Sequence, residues 1–408
     1  MTNAAPATGF ALQGVRVVDL SRVLAGPMAA QILGDHGADV IKIEPPQGDD
    51  TRDWGPPFVR ADDGAIVSST YYEGANRNKR ALALDLTRPQ ARQILMRLLQ
   101  HADVLIENFK SGTMERWNLG FEKHLSSLFP RLIFASVSGF GASEPLGGAP
   151  GYDAVAQAMT GLMSVNAAPG AGPLRMGVPI VDISTAMNIA LGILMALQAR
   201  TVNGRGRRVD VSLYESGLSL VHPQASNWLI GGREPKPMGN AHPNISPYDS
   251  FETKTGPIFL GVGNDRQFAL ACEMLGAPEL ARDARFLTNG ERSENRAALR
   301  PILEKLLAAQ DAHKLTADLL AAGVPAGAVE SLPQALGHPH TAHLGAVVEC
   351  GAYRGVASPI RISGETRGQF RPPPRFAEHT DEVLNEAGYT PAEIIALEKA
   401  GAVFRARR

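Results

Sequence analysis

The feature that most constrains this chain is a long apolar run with one carboxylate at its start. Residues 184–199 are almost all apolar, which predicts a helix buried on every face, and a run of this length is too short to span a bilayer. Residues 178–181 predict a short buried strand just before it. Asp182 stands between the two predicted elements, and no Lys or Arg lies within six positions on either side.

Two interpretations of Asp182 follow from this position. Its side chain could cap the helix by accepting a hydrogen bond from the backbone N–H of Ser184 or Thr185. Alternatively, a carboxylate at a buried helix N-terminus could act as a nucleophile or as an acid–base group. The two roles are compatible, so the rest of the chain has to decide.

Composition narrows the class of protein. A chain of 408 residues with 44% hydrophobic residues predicts two domains, or one large domain with an insert. Forty basic and forty-one acidic residues give a net charge of −1, which favours neither nucleic acid nor a membrane surface as a partner. Cys272 and Cys350 are far apart, which predicts no disulfide framework and no zinc site. Residues 1–9 lack the pattern of a signal peptide, so we expect a soluble cytoplasmic protein without a membrane span.

The first half of the chain alternates predicted strands with helices. Apolar strand patterns recur every twenty to thirty residues, at residues 14–20, 39–43, 81–86, 103–107 and 131–137. This spacing predicts an α/β fold with a Rossmann-like, doubly wound parallel sheet. Ligands bind such sheets beyond the carboxyl ends of the strands, which are followed here by residues 21–27, 108–110 and 139–141.

Composition changes after the apolar run. Residues 231–248 are rich in Gly, Pro and Asn, which predicts a long linker or an active-site loop. From Asp249 a smaller α/β unit is predicted, and residues 364–374 form another proline-rich connection. His242 lies in the first of these segments, where a structural role and a functional role are both open.

Other known motifs are absent from the sequence, which has no complete Gly-x-Gly-x-x-Gly turn, P-loop, Gly-x-Ser-x-Gly elbow or His-Glu-x-x-His. Residues 76–80 (NRNKR) place three cations before a buried strand, which indicates either a solvated face or phosphate contacts. Arg116 beside Trp117 is either a surface residue or a partner for a purine ring.

Seven segments together resemble the class III CoA-transferases, the family of formyl-CoA transferase and the carnitine CoA-transferases, which also includes acyl-CoA racemases. The segments are LQGVRVVDLSRVLAGP, GADVIKIEPP, NRNKRALALDL, DVLIENFKSGTMERWNLG, SVSGFG, GYDAVAQAMTGLM and PIVDISTAMNIALGILMAL. The resemblance extends from Leu12 to about Ala402.

The resemblance implies a role for individual residues. Asp182 matches the aspartate that attacks the acyl-CoA, and Tyr152 matches a tyrosine near the reacting centre. The residues implied to contact CoA are Val23, Leu24, Ala25 and Gly26 beside the thioester, Asn108 and Phe109 in a CoA-lining turn, Arg116 near the adenine, and Lys79 and Arg80. CoA is then a substrate, and neither a metal nor a redox cofactor is implied.

The family also implies an architecture and a reaction. A large CoA-binding domain would comprise residues 1–225 and 331–408, with a linker and small domain at 226–330, in an interlocked homodimer. The implied reaction moves CoA from an acyl-CoA to a free carboxylic acid through an aspartyl-CoA thioester. The alternatives are a 2-methylacyl-CoA racemase and, in a different class, a non-catalytic acyl-CoA binding protein.

The sequence departs from formyl-CoA transferase at two places. Leu24 replaces an active-site glutamine, and the run of four glycines is missing after Asp249, which argues against formyl-CoA and oxalate as the substrate pair. The loop GNAHPNISPY is more similar to members that act on dicarboxylates such as succinate. A second carboxylate needs a partner, and the predicted acceptor-binding residues are Arg52, Arg175, Asn240 and His242.

Overall fold

The computed structural model describes residues 9–365 and 370–405. The predicted lead at residues 1–9 therefore lies almost entirely outside the described residues, and the predicted connection at residues 364–374 lies partly outside them. The chain forms two compact units. The larger contains the chain up to Thr160, Gly177–Leu220 and His340 onward, and the smaller contains Gly161–Met176 and Val221–Pro339. The sequence-based division left the segment Gly161–Met176 in the large domain.

The strands are named here in chain order. They are β1 Arg16–Asp19, β2 Asp39–Glu44, β3 Phe58–Arg60, β4 Ile66–Ser69, β5 Lys79–Leu84, β6 Val104–Glu107, β7 Ile133–Ser138, β8 Arg208–Ser212, β9 Tyr248–Thr253, β10 Gly256–Gly261, β11 Ala326–Ala328, β12 Val347–Cys350, β13 Tyr353–Val356 and β14 Val403–Phe404.

The largest sheet formed by the described residues has the order β14-β5-β2-β1-β6-β7-β8. All its neighbouring strands are parallel except β14, which pairs with β5 in the antiparallel sense. The predicted α/β class with a parallel-dominated sheet is confirmed. The order reverses between β1 and β6, because β2 and β5 extend the sheet on one side while β7 and β8 extend it on the other. The carboxyl ends of β1 and β6 lie side by side at this reversal, and ligands bind α/β sheets at such a position.

The helices lie between the strands and in the smaller unit. The α-helices are Ala25–Asp35, Thr70–Glu73, Pro89–Leu99, Thr113–Arg116, Ser126–Leu128, Asp153–Met159, Leu162–Val165, Ile180–Asn203, Leu213–Ser219, Gln224–Leu229, Asp265–Met274, Asn289–Glu294, Arg296–Leu307, Ala312–Ala321, Leu332–Gly337, Pro339–His343, Thr380–Glu386 and Pro391–Lys399. Asp50–Asp53 and Pro278–Arg282 are 3-10 helices, and Phe121–Leu125 is a π-helix.

Alternate residues of each central strand enter two different cores, as the two-residue period of a strand requires. Val18, Ile41 and Leu105 pack with the helix Pro89–Leu99 on one side of the sheet. Val17, Val40 and Val104 pack with the helices Ala25–Asp35 and Ile180–Asn203 in a separate cluster. Burial on both faces explains why these strands are continuous apolar runs in the sequence.

The predicted apolar helix extends further than the sequence suggested. It runs from Ile180 to Asn203, so the predicted strand at residues 178–181 is wrong: the last two of those residues open the helix and Val178 forms no strand. Complete burial is also wrong, because Met187, Leu191, Met195 and Val202 are 50–84% exposed. With 24 residues the helix could cross a membrane by length and composition alone, contrary to the predicted length. Its inward residues nevertheless pack in the core of the larger unit.

The smaller unit has its own core. Strands β11, β10 and β9 form an antiparallel sheet in that order. Ile258 and Leu260 on β10 pack with the helices Asp265–Met274, Arg296–Leu307 and Ala312–Ala321.

Candidate active site

A cavity of about 310 Å³ lies at the carboxyl ends of β1, β6 and β7. It is lined by residues 22–25, 108–111, 137–139 and 148–152, together with Asp50, Gly141, Asp182 and Leu213. The three segments predicted to follow the strand ends all contribute to it. Seven of the predicted site residues thus line one space: Val23, Leu24, Ala25, Asn108, Phe109, Tyr152 and Asp182.

Asp182 is the buried carboxylate of this cavity. It lies in the first turn of the helix Ile180–Asn203 and is only 8% exposed. Among the described residues its carboxylate has neither a hydrogen-bond donor nor a cationic partner. Burial, and secondarily the negative charge of Asp153, raise the pKa of Asp182 to about 7. A carboxylate without partners in such a place is costly, which is typical of functional groups.

The helix is capped by Asp153 and not by Asp182, so the capping interpretation of Asp182 is wrong. Asp153 Oδ1 accepts hydrogen bonds from the backbone N–H of Val181 at 2.8 Å and of Asp182 at 3.3 Å. Its Oδ2 accepts from Gln157 Nε2 at 2.7 Å, which fixes the carboxylate. Asp153 therefore positions the start of the helix and also adds negative charge beside Asp182.

The loop after β1 forms another wall and is held in a strained conformation. Val23 has φ of 73°, a left-handed backbone that β-branched residues rarely adopt. The side chain of Asn108 fixes Arg22, the residue before Val23, through two hydrogen bonds. Asn108 Oδ1 accepts from the N–H of Arg22 at 2.9 Å, and Asn108 Nδ2 donates to the carbonyl of Arg22 at 2.7 Å. Asp49 Oδ1 accepts from the N–H of Val23 at 3.3 Å.

The same loop presents backbone donors. The N–H groups of Leu24, Ala25 and Gly26 have no acceptor within the part of the chain that the structure describes, and the first two residues line the cavity. They open the helix Ala25–Asp35, whose N-terminus carries partial positive charge. A Cβ at Gly26 would lie 2.3 Å from Ser21 Oγ, so only glycine allows this close approach. The cavity thus combines a carboxylate with free N–H donors.

The turn after β6 links this cavity to a second one of about 480 Å³, and both are lined by Phe109, Lys110 and Ser111. Phe109 packs edge-on against Trp117 at 5.3 Å, and the Arg22 guanidinium lies 5.7 Å from its ring. Arg116 is exposed and donates to Thr113 Oγ1 at 2.9 Å. It lines neither cavity. Lys110 lies in the predicted segment 108–110 and is the only cation in ENFKSG, but no role of its own was predicted for it.

Tyr71 was missed by the sequence analysis. Burial, and then the charges of Asp182, Asp153 and Asp49, raise its pKa to about 12, which places its hydroxyl within the electrostatic reach of Asp182. Its ring packs on Trp54 at 5.3 Å. Nothing in the local sequence distinguishes it from Tyr72, which is fully buried.

Several predicted cations are used inside the protein. Lys79 is fully buried, and its ammonium donates to Asp19 Oδ2 at 3.0 Å, Pro27 O at 2.8 Å and Asn76 Oδ1 at 2.8 Å. All three ammonium protons are therefore committed, and Lys79 does not line either cavity. The prediction that it contacts CoA is not supported by this position, and neither is the alternative of a solvated face.

Arg80 and Arg52 also pair with acidic residues inside the protein. Arg80 is 6% exposed and pairs with Asp39, Glu382 and Glu386. Arg52 is 7% exposed, donates to both carboxylate oxygens of Glu44 and lies over the ring of Tyr72. These contacts do not support a CoA-binding role for Arg80. Arg52 Nη1 is buried without an acceptor among the described residues, so its acceptor-binding role stays a prediction. Arg175, Asn240 and His242 lie in the smaller unit, and their acceptor-binding role stays a prediction.

Comparison with known proteins identifies the family and several relatives. Residues 12–380 match CoA-transferase family III. The chain is 39% identical over 381 residues to succinate–glutarate CoA-transferase of Agrobacterium fabrum, which covers 92% of this chain and 95% of that protein. It is 38% identical to succinyl-CoA:glutarate CoA-transferase of Mus musculus (92% and 86% covered) and 38% identical to acetyl-CoA:oxalate CoA-transferase of Acetobacter aceti (91% and 94% covered). A CAIB/BAIF family protein from Brucella suis superposes with a TM-score of 0.81 at 38% identity, over 93% of this chain and 100% of that one.

Proposed function

This chain belongs to CoA-transferase family III, and we propose that it moves CoA from a dicarboxylyl-CoA such as succinyl-CoA to a free carboxylic acid. The predicted family and enzyme class are confirmed. The proposed donor class rests on the names of the relatives, which act on succinate, glutarate and oxalate. The observation that carries the mechanism is Asp182, a buried carboxylate that has no partner among the described residues and shares its cavity with N–H donors that are likewise unpaired there.

In the proposed mechanism Asp182 attacks the thioester carbonyl. The carbon–sulfur bond breaks, which releases CoA thiolate and leaves a mixed anhydride between Asp182 and the donor acid. The thiolate then attacks the aspartyl carbonyl and expels the donor carboxylate, so that CoA is held as an aspartyl thioester. The acceptor carboxylate repeats both steps in reverse and leaves as the new acyl-CoA. No proton has to be transferred in this sequence.

The free backbone donors have a defined task in this scheme. Each attack produces a tetrahedral oxyanion, and N–H groups aimed at that charge stabilise it most strongly where water is excluded. The N–H groups of Leu24 and Ala25 are suited to this role, since both residues line the cavity and neither N–H has an acceptor in the described ranges 9–365 and 370–405. The hydrogen bond from the N–H of Val23 to Asp49 holds the loop, and with it these N–H groups, in position before substrate binds.

CoA itself would lie along the strand ends. The reversal between β1 and β6 supports our proposal that the sheet is a Rossmann-like, doubly wound sheet with CoA in its crevice. Lys110 and Arg22 supply positive charge there, and Phe109 supplies an apolar face. We further propose that Arg116 lies near the adenine of CoA. The residues proposed to lie beside the thioester are Val23, Leu24, Ala25 and Gly26.

Tyr152 separates this proposal from the racemase alternative. It lines the cavity and is 57% exposed at the start of the helix Asp153–Met159. A racemase exchanges a proton on both faces of the α-carbon and needs two groups that act as acid and base near neutral pH, a task for which imidazole is suited and a phenol is not. The Tyr152 hydroxyl can still donate to a carbonyl or to the anhydride, as a transferase requires.

The test of substrate class is a panel of acyl-CoA donors and free acids. We expect succinyl-CoA with glutarate or a related dicarboxylate to exceed acetyl-CoA with monocarboxylates in kcat/KM. Oxalate belongs in the panel because one relative uses it. The proposal fails if only monocarboxylic acids accept CoA, and an acyl-CoA binding protein without activity would give no exchange at all.

We expect Asp153→Asn to shift the pH dependence of transfer. Only ionised Asp182 can attack, and its pKa is about 7, so kcat/KM falls as the pH drops below 7. Removing the charge of Asp153 lowers the pKa of Asp182 and moves this acid limb to lower pH, while the Asn oxygen still accepts from the helix N–H groups. Rates are measured from pH 5 to 9, with the exposed Asp381→Asn as the control. An unmoved acid limb contradicts the coupling.

We also propose an interlocked homodimer in the cytoplasm. The exposed apolar residues of the helix Ile180–Asn203 support an additional covering surface, and free Cys272 and Cys350 are compatible with a reducing compartment. Interlocked chains cannot separate without unfolding, so we expect the dimer to persist at nanomolar concentration in light scattering or mass photometry. A monomer at that concentration contradicts interlocking.

A further inference from the structure

The smaller unit contains a cavity of about 930 Å³. All residues that line it belong to that unit, and Asp182 is not among them. Its walls come from the segment at residues 233–251, one face of the helix Arg296–Leu307, and Pro169 and the helix Gln224–Leu229. This space is large enough for a metabolite. Asn240, which also lines it, was predicted to bind the acceptor acid, but the steps proposed at Asp182 assign no task to Arg233, Arg296 or the other lining residues.

One cation in the wall lacks a partner. Arg296 makes no hydrogen bond or ion pair with any residue that the structure describes, and its buried Nη1 has no acceptor. Burial lowers the pKa of Arg296, Asp249 opposes this shift, and the positive charge of Arg233 adds to it. Arg296 thus lines the cavity as a cation without a counter-ion among the described residues, which favours an anion there.

The surrounding charges do not neutralise it. The cavity is lined by four cations and two acids, and one of the cations, Arg300, is paired with Asp249 and with Glu304. Arg233, Lys236 and Arg296 then face only Glu234, which leaves an excess of two positive charges. Asp249 is already engaged by Arg300 and by the N–H of Ser250. Arg233 and Lys236 have no side-chain acceptor among the described residues. The positive potential also reaches His242, whose pKa is lowered by burial, Arg296 and His222.

The rest of the wall is suited to a carbon skeleton. Tyr248, Phe251, Leu299, Leu303 and Met238 line the same cavity, with several prolines between the cations. Inorganic ions gain nothing from such surfaces, whereas an organic acid buries its methylene groups there. An excess of two positive charges is matched by two negative ones.

We propose that this cavity binds a small organic dianion, either a dicarboxylate or a phosphate ester, with Arg296 and Arg233 as its principal ligands. Binding requires no reaction at Asp182 and is independent of the proposed CoA transfer. Both ligand classes offer oxygen pairs that accept from a guanidinium in bidentate fashion.

The test is arginine footprinting on the full chain without CoA. Phenylglyoxal labels accessible guanidinium groups, and peptide mass spectrometry assigns each label to a residue. We expect succinate or glycerol phosphate to protect Arg296 and Arg233, while acetate and KCl at matched ionic strength do not. Protection by succinate alone identifies a dicarboxylate site, and protection by glycerol phosphate alone a phosphate-ester site. If neither protects, or if acetate and KCl protect equally, the proposal is wrong.

Two variants check that the arginines act together. In Arg296→Gln the concentration of dianion that half-protects Arg233 should rise at least about tenfold, and Arg233→Gln should have the same effect on Arg296. Arg285→Gln is the matched control, because Arg285 is an exposed arginine of the same unit paired with Asp283. An unchanged half-protection concentration in both variants, with an unchanged melting temperature, overturns the assignment.

Discussion

Replacing Asp182 by Asn is expected to lower CoA transfer by at least about 10⁴-fold, the scale on which removal of a catalytic nucleophile acts. Asparagine keeps the shape of the side chain but cannot form an anhydride. In the wild-type protein, addition of acyl-CoA followed by hydroxylamine should convert Asp182 to a hydroxamate that peptide mass spectrometry detects. The same treatment of Asp182→Asn should leave the peptide unmodified.

Stability provides the control for this variant. Burial and Asp153 raise the pKa of Asp182 to about 7, above its value in the unfolded chain. The folded state then binds a proton that the unfolded state releases, so this group lowers the free energy of unfolding as pH rises from about 4 to 7. Asparagine avoids that cost, and at pH 8 the variant should be more stable by at most about 4 kcal/mol.

Loss of transfer together with an unchanged or raised melting temperature separates catalysis from folding. Retained transfer in Asp182→Asn contradicts the mechanism. Exchange of the α-proton with solvent, without CoA transfer in the wild-type protein, supports the racemase alternative instead.

The fold was predictable where side-chain periodicity carried the information. Strands β1, β2, β6 and β7 were predicted within about two residues, because strands buried on both faces are continuous apolar runs. The segments at residues 22–25 and 108–111 could be assigned to one site, because parallel strands bring their carboxyl ends to the same edge.

The errors arise where a partner is distant in the sequence. Residues 76–80 have the pattern of a charged surface, and nothing nearby indicates that Lys79 pairs with Asp19, sixty positions earlier. The cap of the central helix is Asp153, which is 28 residues from Val181, so local spacing favoured Asp182. The pKa of Tyr71 is raised partly by Asp182, which is distant in the sequence, so only the folded structure reveals this influence.

A large loss of stability is expected when the buried ion pair beneath the loop at residues 21–27 is broken. Lys79 and Lys42 are both fully buried and bind opposite ends of that loop, since Lys79 donates to Pro27 O and Lys42 donates to Ser21 O. Asp19 accepts from Lys79 and from the N–H of Ser21. The loop that carries the free N–H donors is therefore fixed by ion pairs inside the sheet.

We expect Lys79→Met to lower the free energy of unfolding by about 3–5 kcal/mol, because it leaves Asp19 charged, fully buried and without its direct ion-pair partner. The double variant Asp19→Asn with Lys79→Met removes both charges and should recover part of this loss, since an apolar side chain can replace a buried pair at little cost. Lys314→Met, at an exposed lysine paired with Asp318, should have no measurable effect in the same urea titration. If Lys79→Met costs less than about 1 kcal/mol, or the double variant is less stable than Lys79→Met, the pair does not hold the loop. With the pair removed, Val23 can relax from its left-handed conformation, and kcat should fall even in the protein that remains folded.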